Sequence, residues 1–153
     1  MPLDLILRGG RVIDPSQKLD AVRDVGFAAG KVAAVGSELK ADPATDVRNV
    51  SGYIVTPGLI DLHTHVYWGG TSLGVDAEEF CRTSAVTTAV DTGSAGPGNF
   101  AGFRKHVIEP SQVRILAYLH VSHAGIYGFS NRVMVGESEE LRLMNPLDAA
   151  TAG

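Results

Sequence analysis

Apolar positions change rhythm once along this chain, at Thr56-Pro57-Gly58. Before that point they come in short runs of strand length: Leu3, Leu5 and Leu7, then Val12-Ile13, Val22 to Ala28, Val32 to Val35, Val47, Val50, and Ile54-Val55. Gly9-Gly10 is expected to turn the chain and Asp14-Pro15 to break it. Ala29-Gly30 between two apolar runs predicts a hairpin, because glycine at the turn permits positive φ. Ala41 to Thr45, with Pro43, reads as a polar loop. The pattern predicts a small antiparallel sheet over residues 1–56.

After Gly58 the runs lengthen and alternate in type. Leu59-Ile60-Asp61-Leu62-His63 reads as a strand buried on both faces. A glycine-containing loop follows (Gly69, Gly70, Gly74). Asp76 is a helix cap for Ala77 to about Ser84. Val86 to Asp91 is β-branched and strand-like. Asn99 is the expected cap of a second helix reaching Ile108, which must end before Pro110. Val113 to His120 makes a third strand. Strand, helix, strand, helix, strand is the order of parallel βαβ units, so the fold class is α/β. Asn145-Pro146-Leu147-Asp148 resembles a helix start. A helix over the few residues beyond it would be too short to hold alone. Three parallel strands also leave an open edge. The pattern therefore reads as the first part of a larger fold.

Composition narrows the function classes. The 153 residues are 44% hydrophobic and 20% charged, as in an ordinary globular protein. The formal net charge is -4 and no run of Lys or Arg exists, which argues against nucleic acid as a partner. No apolar stretch approaches the roughly 20 residues of a membrane span. The start, MPLDLILRGG, has Asp4 and Arg8 inside its apolar patch and is no signal peptide, so a cytoplasmic location is expected. The lone cysteine, Cys81, cannot form an internal disulfide and reads as a buried small hydrophobe.

The chemistry concentrates at Asp61-Leu62-His63-Thr64-His65. Side chains two apart on a strand project to one side, so His63 and His65 can lean on one ion at about 2.0–2.1 Å. Asp61 is expected on that same face, one layer deeper, as a weak ligand or a group supporting the ligands. The pair falls at the C-terminal end of its strand, where parallel α/β folds place their sites. A bare His-x-His is common, but here it follows Pro-Gly and an apolar strand and precedes a glycine-rich loop. Two histidines do not complete a catalytic site, which takes about three protein ligands and an open position.

Pro57-Gly58-Leu59-Ile60-Asp61-Leu62-His63-Thr64-His65 resembles the signature that opens the barrel of amidohydrolases of the dihydroorotase, hydantoinase, D-aminoacylase and deacetylase type. Leu7 to Asp14 and Gly30 to Gly36 resemble their N-terminal β segment. Thr87 to Gly96 resembles the second barrel strand and its loop in the deacetylase-like branch. The resemblance implies the N-terminal part of a (β/α)₈ TIM barrel, about three βα units over residues 57–153. It also implies a preceding segment, 1–56, belonging to a composite β sandwich. It further implies one or two divalent ions, zinc above all, with His63 and His65 as metal ligands. In the family the remaining ligands, a carboxylated lysine, two further histidines and an aspartate that shuttles the proton, come from later strands. His123 is the last histidine and Lys105 the last lysine, so no catalytic residue is assigned within the chain. The implied chemistry is hydrolysis of an amide or acyl ester of a small molecule by a metal-activated water. Cyclic amides, N-acyl amino acids and acetylated small acids are the expected substrates, and the chain alone is expected to be inactive.

Other residues carry weaker signals. Tyr67 and Trp68 follow the histidine pair and either line a substrate pocket or pack under the loop. His123 either touches substrate at the barrel mouth or, as the stronger reading, is a loop histidine satisfied by backbone. His120 reads equally as a core residue, and His106 as solvent-facing. Gly93 to Gly98 lacks the spacing of a phosphate loop and reads as a tight turn. Glu137 to Glu140 reads as a solvated loop. Two competing readings remain: a non-catalytic, partner-dependent module with an incomplete metal half-site, and a homo-oligomer pooling four imidazoles across a symmetric dimer.

Overall fold

A computed structural model describes residues 2–126 and 150. The expected loop at 137–140 and helix start at 145–148 lie outside the described residues. The protein is mixed α/β and divides into two compact units, Met1–Pro57 and Gly58–Gly153. No helix among the described residues is long and apolar enough to cross a membrane.

The first unit is a five-stranded sheet. Strands β1 (Leu5–Asp14), β2 (Leu19–Ala28), β3 (Lys31–Gly36) and β4 (Asp46–Asn49) lie in the order β3-β2-β1-β4, and β5 (Ile54–Val55) also pairs with β1. The β2–β3 hairpin turns at Ala29-Gly30 as expected, both residues at positive φ (51° and 72°). Two expectations are corrected. Gly9-Gly10 does not turn the chain: β1 runs through it, with one extra residue between the Leu7–Val25 and Gly10–Arg23 pairs. Gly9 sits at φ 75° in that bulge, a conformation that side chains with a Cβ resist. Nor is the sheet wholly antiparallel, because β4 and β5 both run parallel to β1.

Asp24 is the buried polar group of this unit, 3% exposed. Its carboxylate accepts from the amides of Gly9 (3.0 Å) and Leu39 (3.1 Å), with the Arg8 guanidinium at 3.6 Å. Those bonds satisfy the amide that the bulge releases from the ladder.

The second unit follows the expected order. Strands β6 (Leu59–Thr64), β7 (Val86–Thr92) and β8 (Arg114–Tyr118) are parallel and adjacent. Helix α1 (Ala77–Ser84) joins the first two. Helix α2 (Phe100–Phe103), continued by a π-helical turn (Arg104–Ile108), joins the last two. Asp76 caps α1 as expected, accepting from the amides of Glu78 (2.8 Å) and Glu79 (3.1 Å). Asn99 precedes α2 but makes no side-chain cap bond. It accepts instead from Gly96 N (2.9 Å) and donates to the Ala124 carbonyl (2.9 Å), bracing the loops after β7 and β8.

The core of this unit lies on one side of the sheet. Ala89 and Ile115 pack there with Val66, Ala77, Cys81, Ala95 and Phe103. The other side is open, which corrects the expectation of a β6 buried on both faces: Ile60 is 58% and Leu62 72% exposed. With Thr88, Val90, Leu116 and Tyr118 they border a cleft of about 410 Å³.

Candidate metal centre

Thr64 closes β6, and His65 is the first residue beyond it, at the C-terminal end of a parallel strand. The two imidazoles meet edge to face, ring centroids 5.7 Å apart at 84°. His63 is exposed and His65 half-buried. The structure thus brings together the pair that the two-residue spacing predicts.

Asp61 is not on their face. It pairs with Ala89 while Thr64 pairs with Asp91, three steps on β6 against two on β7. The extra residue reverses the alternation of side chains. Asp61 and Thr64 therefore share the side of buried Ala89, and the histidines flanking Thr64 turn to the other. The Asp61 carboxylate accepts from the backbone amide of His63 (2.9 Å). Its charge is also felt on α1, where burial first, then Glu78 and Asp61, push the Cys81 thiol up. Asp61 holds the backbone of His63 from behind; the single-face geometry expected for it is corrected.

Two residues not singled out in the sequence hold the site. Asp91 is wholly buried, and its carboxylate accepts from the amides of Val66 (2.8 Å), Gly93 (3.1 Å) and Ser94 (2.7 Å). Ser94, also wholly buried, places its hydroxyl 3.1 Å from Nδ1 of His65. The signal was present: an aspartate followed by Gly and Ser two and three residues on, ending a parallel strand, is the pattern of a side chain folding back on its own turn. The next part of the loop lies tight against the loop after β8, as a Cβ at Gly96 would run into the Ser122 carbonyl. His120 N donates to Ala95 O (2.9 Å) and Ile126 N to Gly93 O (3.1 Å) across the same seam.

The remaining candidates sit elsewhere. Tyr67 stacks on Phe103, centroids 4.6 Å apart at 26°, and packs against the core. With Trp68, which is 64% exposed, it lines a cavity of about 600 Å³ whose walls include Glu78, His106 and Ser111 but neither His63 nor His65. The His123 carbonyl accepts from Gly98 N (2.8 Å), and its ring lies over Gly98. His120 accepts from Ser122 N through Nδ1 (2.8 Å), and burial holds its pKa below the ordinary 6.5.

The donor chemistry suits half of a metal site. Two neighbouring imidazoles are typical ligands of a divalent ion. Among the described residues no group of three or more His, Cys, Asp or Glu is placed to hold one.

No protein-family model matches the chain. A deacetylase of Agrobacterium fabrum is 43% identical over 119 residues, 78% of this chain and 28% of the relative. A crystal structure of a dihydroorotase superposes with a TM-score of 0.71 at 38% identity, over 79% of this chain and 32% of that one. The zinc-containing N-acyl-D-glutamate deacylase of Bordetella bronchiseptica, crystallised with a phosphonate inhibitor, shares the fold: TM-score 0.56 at 24% identity, over 80% of this chain and 30% of that one. The chain thus spans under a third of each of these proteins. It belongs to the amidohydrolase superfamily, of whose deacetylases and dihydroorotases it matches the N-terminal part.

Proposed function

We propose that this chain opens the (β/α)₈ barrel of a metal-dependent amidohydrolase. Such an enzyme cleaves C–N amide bonds or acyl esters of small molecules: N-acyl amino acids, acetylated acids or cyclic amides. The observation that carries the reading is the His63–His65 pair, edge to face at 5.7 Å at the C-terminal end of a parallel strand. Identity to a deacetylase and likeness to a dihydroorotase support the reaction class. The open apolar face carrying Ile60, Leu62 and Leu116 supports a barrel, whose interior further strands would fill. The first unit, on this reading, is part of a composite β sandwich.

His63 and His65 would hold a divalent ion, zinc in the first instance. When bound, such an ion brings the pKa of a water near neutrality and polarises a carbonyl. The chain's own contribution is placement. Asp61 fixes the backbone of His63, and Asp91 fixes the backbone just after His65 through the Val66 amide. Two imidazoles fall short of the roughly three protein ligands that a catalytic zinc takes. On this reading the chain by itself is inactive. The same shortfall favours a second reading, a non-catalytic module with a half-site.

The test is the zinc-to-chain ratio after gel filtration. The 153-residue chain is expected to retain almost no ion and to hydrolyse no N-acetyl amino acid. A longer protein carrying the remaining strands is expected to hold one or two ions, lost in His63→Ala and His65→Ala. A longer protein that keeps its full zinc content in both variants would refute the ligand assignment. One that binds zinc but hydrolyses no acylated or cyclic amide would favour the second reading.

A further inference from the structure

A histidine can give a metal only one ring nitrogen, and which one is set by the partner of the other. Nδ1 of His65 is taken, since the Ser94 hydroxyl lies 3.1 Å away. Among the described residues Nε2 has no hydrogen bond to the protein. Burial and its backbone bond restrain Ser94 at this position. It is wholly buried, its amide donates to Asp91 (2.7 Å), and the same carboxylate takes the Val66 amide (2.8 Å). One buried aspartate therefore anchors the chain on both sides of the Ser94–His65 bond, from the turn after β7 and from the residue after His65. Burial also keeps water from competing for the hydroxyl.

We propose that Ser94 is a positioning residue for His65: its hydroxyl accepts from Nδ1–H and so leaves Nε2 bare as the ligand atom. The inference rests on the metal reading of His65, and it concerns a tautomer that exists before any ion arrives. Without a partner at Nδ1, a neutral histidine in water favours the other tautomer, with its proton on Nε2. Ser94 opposes that preference, and a metal would otherwise have to displace the Nε2 proton. Asp91 supports the arrangement from one step further away.

The experiment is ¹⁵N–¹H spectroscopy of the imidazole nitrogens in the metal-free protein, where the chemical shifts report which nitrogen carries the proton. His120 is an internal reference: its Nδ1 accepts a backbone amide, so its proton is on Nε2. His65 is expected to differ from His120 in the wild type, with its proton on Nδ1. Ser94→Ala should move His65 toward the His120 pattern, and Ser94→Thr should restore the wild-type signal. In a longer protein that binds Zn²⁺, Ser94→Ala should weaken uptake about 10–100-fold. A wild-type His65 protonated on Nε2 would overturn the proposal even if Ser94→Ala failed to fold. So would a tautomer that Ser94→Ala leaves unchanged. If the tautomer behaves as expected but the longer protein takes up no Zn²⁺, the positioning stands and the metal reading falls.

Discussion

Among the described residues each unit buries one aspartate and uses it for backbone amides. Asp24 holds the bulge of β1, taking Gly9 and Leu39 with Arg8 nearby. Asp91 holds the end of β7, taking Val66, Gly93 and Ser94 with no cation among its described partners. The device is the same: a carboxylate satisfies amides that an irregular backbone leaves without ladder partners. The contents differ. The bulge around Asp24 carries no cluster of metal-binding side chains, whereas the amides on Asp91 flank His65 and Ser94. A buried carboxylate in a sheet is thus no mark of a site. What marks one is the side chains on the segments it ties together.

The comparison breaks most sharply at Asp91. Asp91→Ala strips three buried amides of their acceptor, at about 1–3 kcal/mol each. That total is comparable to the stability of a whole domain, about 5–15 kcal/mol. The second unit is expected to lose its cooperative urea transition, and the Nδ1–H signal of His65 with it. Asp24→Ala strips two part-buried amides, which water can partly serve, and should cost about 1–3 kcal/mol. Its decisive readout is the His65 tautomer, expected unchanged. If Asp24→Ala altered that tautomer as much as Asp91→Ala does, the division of labour between the two aspartates would be wrong.

What could be read from the sequence was what depends on near neighbours in the chain. Asp76 caps α1 with amides two and three residues on, and Ala29-Gly30 turns between two strands already marked by their apolar runs. The histidine pair was legible for the same reason, since two steps along a strand fix a side. What escaped depends on pairing between distant segments. Nothing within Asp61 to His65 announces the extra residue opposite β7, yet that residue decides which side Asp61 takes. Gly9-Gly10 has the composition of a turn and becomes a bulge only because β2 continues alongside it. Asn99 has the residue type of a cap, but Gly96 and Ala124 compete for its amide group and win.

A smaller effect sharpens the contrast between local and distant control. Asp76→Ala removes a cap whose amides lie at an exposed helix start, where water replaces the lost acceptor. The expected loss is about 1 kcal/mol, read from the urea midpoint of the second unit. Its influence should stop at α1: the imidazole signals of His65 and His120 are expected to stay where they are. A shift in either would show that α1 controls the seam between the loops after β7 and β8.

The smallest effect concerns His120, on that seam. Burial lowers its pKa in the folded protein below the ordinary value of about 6.5, and Nδ1 accepts the Ser122 amide only while unprotonated. The unfolded chain then binds the proton more readily than the folded one. Stability from this group is fully present above about pH 6.5 and is lost as pH falls toward the lowered folded value. His120→Asn keeps an acceptor for Ser122 without a titrating ring. The variant should therefore remove part of the wild type's loss of stability between neutral and mildly acidic pH, while matching it near pH 7.5. Urea midpoints measured across that range decide the matter. Parallel curves for the two proteins would mean that protonation of His120 costs the fold nothing, and that the Ser122 amide finds another acceptor when the ring turns cationic.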